Sequence, residues 1–133
     1  MEDMTRIPPH SVESEQSILG SILLDKDAII TVTETIKPDD FYKEAHKIIY
    51  ECMITLSNKG EPIDLITLTE ELRKQGHLND IGGISYITSL STIVPTTSNV
   101  KYYADIVKEK SVLRKLIKAS NEIINLGYSG ATK

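Results

Sequence analysis

From Ser98 to Leu126 the chain runs 29 residues without a glycine or a proline, and Gly127 follows as a helix stop. At 1.5 Å per residue such a helix is about 44 Å long. The roughly 97 residues before it would fold into a globule with a radius of gyration of about 12 Å, hence about 32 Å across. A helix longer than its own domain has to project from it. Ile106, Leu113, Ile117 and Ile124 fall on one stripe, and Val112, Leu116, Ala119 and Ile123 on a second beside it. Together they are too wide for a narrow seam against one neighbour. Burying each large side chain is worth roughly 1.5–3 kcal/mol, which works against leaving them in water. The helix is therefore expected to be an assembly element whose partner lies partly outside this sequence. Ile106, Leu113, Leu116, Ile117, Ile123 and Ile124 are its expected oligomer contacts.

The segments before it also carry helical periods and stops. Residues 1–10 read as a disordered polar tail ending in Pro8-Pro9, an extended pair. Ser11 is placed to cap a first helix reaching about Leu24, with Ile18, Leu19 and Ile22 inward and Glu13 and Glu15 favoured by the helix dipole. Asp27 can cap a second, Ala28 to Ile36, although its β-branched residues leave a strand open. A third runs from Phe41 to Ser57 after Pro38-Asp39-Asp40. The fourth opens at Pro62-Ile63-Asp64 and ends at Gly76, with Thr67 and Glu70 in capping-box spacing. A fifth spans Ile84 to about Thr92, and Thr97 or Ser98 is expected to cap the long helix. With no strand–helix alternation, the class is all-α. The expected organisation is a head over 11–97, the long helix over 98–126 and a turn over 127–133.

Charge restricts the partners. Residues 1–100 hold 8 basic and 16 acidic side chains, whereas residues 101–133 hold 7 basic and 3 acidic ones. An acidic head repels phosphates. The alternative of a small DNA-binding module therefore rests on Lys108, Arg114, Lys115 and Lys118, which read more simply as a solvated face. No run is apolar enough to span a membrane, and Met1-Glu2-Asp3 is acidic where an export signal starts basic. A single Cys52 in an apolar pattern reads as a small buried hydrophobe, consistent with a cytoplasmic location.

Catalytic constellations are not expected. There is no phosphate-binding loop and no nucleophile elbow, and Gly82-Gly83 is a turn signal. His10, His46 and His77 are far apart in sequence, and His46 reads as a partly buried donor to a backbone carbonyl. Asp39-Asp40 and Glu70-Glu71 are adjacent pairs whose members diverge on a helix, so they read as first-turn charges. No catalytic, cofactor-binding or metal-binding residue is expected in this stretch.

The segment Arg6-Ile7-Pro8-Pro9-His10-Ser11-Val12-Glu13-Ser14-Glu15-Gln16-Ser17-Ile18-Leu19-Gly20 resembles the opening of bacterial replicative DNA helicases of the DnaB family. Asp40-Phe41-Tyr42 with His46, Gly60-Glu61-Pro62-Ile63-Asp64 and Gly82-Gly83 with Tyr86 follow in that family's order. So do Pro95-Thr96 with Asn99, and Tyr103-Ala104-Asp105-Ile106-Val107 leading to Leu113-Arg114. The resemblance implies the amino-terminal domain of a hexameric helicase, with ATP, magnesium and DNA bound by a separate motor domain. It implies that the long helix is the first arm of a helical hairpin, with hairpins pairing into dimers that form a collar. It also implies docking of primase, at positions matching Glu13, Tyr86, Ile117 and Ile123, and a helicase loader as a further partner. Tyr86 reads equally as a core aromatic, and the two isoleucines as dimer-packing residues.

Overall fold

The computed structural model describes residues 6–93 and 99–130. The described residues form six α-helices and one 3₁₀ turn, without a strand: α1 Val12–Leu24, α2 Ala28–Thr35, the turn Pro38–Asp40, α3 Glu44–Asn58, α4 Leu65–Gln75, α5 Gly83–Ile93 and α6 Val100–Ser129. The β-branched run after Asp27 is helical, because Ala28, Ile29 and Val32 place one apolar stripe on the core. α1 lies at the centre and packs against both α5 and α6, with α2 on α6 and α3 on α4. Its Ile18, Leu19 and Ile22 are almost fully buried, and so are Phe41, Ile49, Tyr50, Met53, Leu68, Leu72 and Ile87 around it.

Side-chain caps start two of the helices, α1 and α4, whereas Asp27 holds the N-cap position of α2 without a capping hydrogen bond from its side chain, its own amide donating instead to Asp25 Oδ1. Ser11 Oγ accepts the Ser14 amide at the start of α1. At α4 the reciprocal box is formed by Asp64 and Thr67, not by Thr67 and Glu70: Asp64 Oδ1 accepts the Thr67 amide, and Thr67 Oγ1 accepts that of Asp64. α4 therefore begins one turn earlier than Thr67 as a cap would allow. Gly76, at φ 79°, closes it in the left-handed conformation.

Three boundaries differ from the sequence reading. α3 begins at Glu44 and not at Phe41, because Phe41 closes the 3₁₀ turn in extended backbone, φ -75° and ψ 143°, and reaches the core from there. α6 passes through Gly127 and ends at Gly130, φ 65°. An isolated glycine costs a helix only about 1 kcal/mol, less than is needed to stop it. Its 30 residues span about 45 Å. The caps expected at Thr97 or Ser98, and Pro95-Thr96, lie outside the described residues, and Asn99 holds the N-cap position. Residues 8–10, expected in a loose tail, are held instead. The His10 ring stacks on Tyr42 with centroids 4.1 Å apart, and the Pro9 carbonyl accepts from Arg114 Nη1 at 2.8 Å.

Candidate functional site

α6 changes character along its length. Val100, Ala104, Val107 and Ser111, spaced 4, 3 and 4 residues apart, bury one stripe against the head. From Lys115 to Gly130 every residue is exposed. That exposed length includes Leu116, Ile117, Ile123, Ile124 and Leu126, while Val112 and Leu113 just before it are also exposed. At 100° per residue, the centre of this apolar set stands roughly 170° round the helix from the centre of the buried stripe. The apolar face of the far half therefore looks away from the head. Among the expected oligomer contacts, Leu113, Leu116, Ile117, Ile123 and Ile124 are 39, 62, 47, 68 and 52% exposed, whereas Ile106 is half-buried at the head's edge.

The near half is fastened at a buried carboxylate. Ser111 Oγ donates to Asp40 Oδ1 at 2.6 Å and the Lys37 amide to Oδ2 at 2.8 Å. Lys108 and Lys115 each approach the same carboxylate at 3.6 Å. Burial alone would raise the Asp40 pKa. The Ser111 and Lys37 hydrogen bonds and the two ammonium groups outweigh it and hold it below the ordinary 3.8. Arg114 donates to the Asp40 carbonyl at 2.7 Å and to Pro9, with its guanidinium 5.5 Å from the centre of the Tyr42 ring. Three of the four cations in the DNA-binding alternative are thus turned onto the head. Asp40 stands in the first turn of the 3₁₀ helix, as expected, but it is buried as an anchor. Adjacency to Asp39 gave no sign of this, because Ser111 lies 71 residues away in sequence. Ser111 did carry a signal, as a small polar residue in register with Val100, Ala104 and Val107. Glu70 and Glu71 fall in the middle of α4 and not in its first turn, and Glu71 is buried against Lys59 and Gln75.

A second buried carboxylate organises the head's surface at α1, α3 and α5. Glu15 Oε1 lies 2.7 Å from His46 Nδ1, and Glu15 Oε2 accepts the Tyr42 amide at 2.7 Å. His46 Nε2 lies 2.6 Å from the Tyr86 hydroxyl, which also accepts from Gln16 Nε2 at 3.3 Å. His46 is fully buried between side chains, where a backbone carbonyl partner was expected. Tyr86 is half-buried, so it is both a packed aromatic and part of the surface. Gly82, at φ 107°, lies so close that an added Cβ would stand 2.9 Å from Tyr86 Cβ. Exposed Glu13 stands one turn before Gln16 on α1, and it is the Gln16 side chain that reaches Tyr86. Ile117 and Ile123 stand apart from them on the far half of α6.

Cys52 is not poised as a nucleophile. Burial and the Glu71 carboxylate push the Cys52 thiol up to about 12, far from a reactive thiolate. Among the described residues no cluster of His, Cys, Asp or Glu is placed to hold a metal ion, and no helix is long and apolar enough to cross a membrane.

Residues 7–109 match the family model described as the DnaB-like helicase N terminal domain. The chain is 48% identical over 124 residues to the replicative DNA helicase DnaB of Geobacillus stearothermophilus, covering 93% of this chain and 27% of the relative. It is 46% identical to the replicative DNA helicase DnaC of Bacillus subtilis, with the same coverage. The chain thus spans about a quarter of the curated relatives it matches. Among solved structures, the N-terminal domain of DnaB helicase from Mycobacterium tuberculosis superposes with a TM-score of 0.90 at 44% identity, over 92% of this chain and 88% of that one. A DnaB-like replicative helicase described with its interactions with primase superposes at 0.75 and 31% identity, over 89% of this chain and 28% of that one.

Proposed function

Because the chain belongs to the DnaB-like helicase N-terminal domain family, we propose that it is the non-catalytic assembly and docking domain of a hexameric, ATP-driven replicative helicase. The observation that carries this reading is the exposed apolar half of α6, turned away from the head. Covering Leu113, Leu116, Ile117, Ile123 and Ile124, with Ile106 at the margin, requires neighbouring helices. A second hairpin arm and the hairpin of another copy fit that need, and dimers so formed would build a collar. ATP, magnesium and DNA would be handled by a motor domain, in the cytoplasm, with a helicase loader as a further partner.

Docking of primase is assigned to Glu13, Tyr86, Ile117 and Ile123. Two lie on the head's surface and two on the projecting helix, so a bound primase would bridge head and collar. The test is a pull-down with the carboxy-terminal domain of the cognate primase, using a chain extended through the second hairpin helix. Retention is the expected result, and no retention by the extended chain contradicts docking. Fluorescence anisotropy on single- and double-stranded DNA is expected to show only weak binding, since Lys108, Arg114 and Lys115 are already engaged.

A further inference from the structure

Tyr86 reaches the surface with its hydroxyl engaged from beneath, and the engagement has a direction. Glu15 takes the Tyr42 amide on one oxygen and faces His46 Nδ1 with the other, which also accepts the Lys43 amide at 3.4 Å. A carboxylate only accepts, so Nδ1 carries the imidazole proton. In the neutral ring Nε2 is then bare, and at 2.6 Å the Tyr86 hydroxyl must donate to it. Gln16 donates to one lone pair of the same oxygen. The oxygen keeps one lone pair free, an acceptor with no proton to give.

The ring is fixed as firmly as its hydroxyl. The Tyr86 and His46 rings meet through this hydrogen bond with centroids 5.9 Å apart and planes 12° from parallel. The backbone of Gly82 closes on Tyr86 Cβ from the other end of the side chain. Glu15 and His46 are themselves 1% and 0% exposed and touch no partner directly.

We infer that Glu15 and His46 are positioning residues for docking. Through this chain of hydrogen bonds they hold Tyr86 and turn its hydroxyl proton inward, so that the surface accepts a cationic N–H donor, a lysine or arginine of the bound protein. Glu13, exposed one turn before the Gln16 that reaches Tyr86, adds the negative charge such a donor needs. The inference rests on the docking reading above and gives its head-side contact a chemistry.

The test compares Glu15→Gln, Tyr86→Phe and the double variant. Nitrogen-15 spectroscopy of the imidazoles in this chain reads the tautomer, and titration of the full-length protein with the primase carboxy-terminal domain reads affinity. In the wild type the His46 proton is expected on Nδ1. In Glu15→Gln the new carbonyl oxygen is claimed by the Tyr42 amide and its NH₂ faces Nδ1. The imidazole proton then moves to Nε2, and the tyrosine proton turns outward. Affinity is expected to fall about tenfold in each single variant. The double variant should fall no further than Tyr86→Phe alone, because Glu15 acts only through the hydroxyl. A wild-type His46 protonated on Nε2 overturns the inference, and so do additive losses. Should Glu15→Gln unfold the head, undiminished affinity in Tyr86→Phe overturns it instead. Absence of any wild-type binding, with the tautomer as expected, overturns the docking reading itself.

Discussion

The two halves of α6 are one continuous helix with opposite relations to the molecule. Up to Ser111 the buried stripe faces the head, and Lys108, Ser111, Arg114 and Lys115 converge on the Asp40 loop. Beyond it the head-facing side carries Lys118, Asn121, Glu122 and Asn125, and the apolar residues move to the opposite side. Helix propensity is similar in both halves, so local preference does not explain the change. The half-turn switch of the apolar face is the arrangement that the proposed assembly role requires of a helix with two partners. One is its own head, and the other, in that proposal, would approach from the far side. A helix whose stability came only from its own head would keep its apolar stripe on one side to the end.

Breaking the far half should have the largest effect. Ile117→Asp or Leu113→Asp is expected to abolish oligomers of the full-length protein by light scattering. The head's own unfolding free energy should shift by no more than about 0.5 kcal/mol, as for an exposed site. Persistence of hexamers in both variants would mean that another face assembles. Breaking the near half should do the reverse. Asp40→Ala leaves the Lys37 amide, the Ser111 hydroxyl and two lysines without their carboxylate. It should destabilise the fold by about 3 kcal/mol in urea titration.

A smaller effect sharpens the same contrast through pH. The Asp40 pKa is depressed in the folded state: burial opposes ionisation, but the Ser111 and Lys37 hydrogen bonds and the two lysines prevail. Its contribution is therefore fully present above the ordinary value of 3.8 and is lost as pH falls through the folded-state value. Asp40→Asn should remove this acid-range slope of stability. An unchanged slope in that variant would assign the acid sensitivity to other carboxylates.

The sequence made the helices and the projecting rod legible, because both depend on local signals. Ser11, Gly76 and the 3.6-residue spacing of Ile18, Leu19 and Ile22 are read within a few residues. The exposed isoleucines follow from length alone, since no head of this size could sheath the helix. What stayed hidden were the long-range polar contacts: Asp40 to Ser111, and Glu15 to His46 to Tyr86. Their partners lie 71, 31 and 40 residues apart, and a carboxylate that will be buried looks in sequence like one that will be solvated. The cap of α4 went to Asp64 and Thr67 because the two boxes overlap, and only the helix start decides between them.

Amide hydrogen exchange along α6 tests the central claim most directly, comparing this chain in dilute solution with the same segment in the full-length protein. The amides over Ala104–Ser111 should be protected in both, since they are bonded within the helix and the head covers that stripe. Those over Lys115–Ser129 should exchange quickly in the dilute chain and become protected in the full-length assembly. Equally fast exchange of the far half in both states would contradict the account, as would full protection of that half in the dilute monomer.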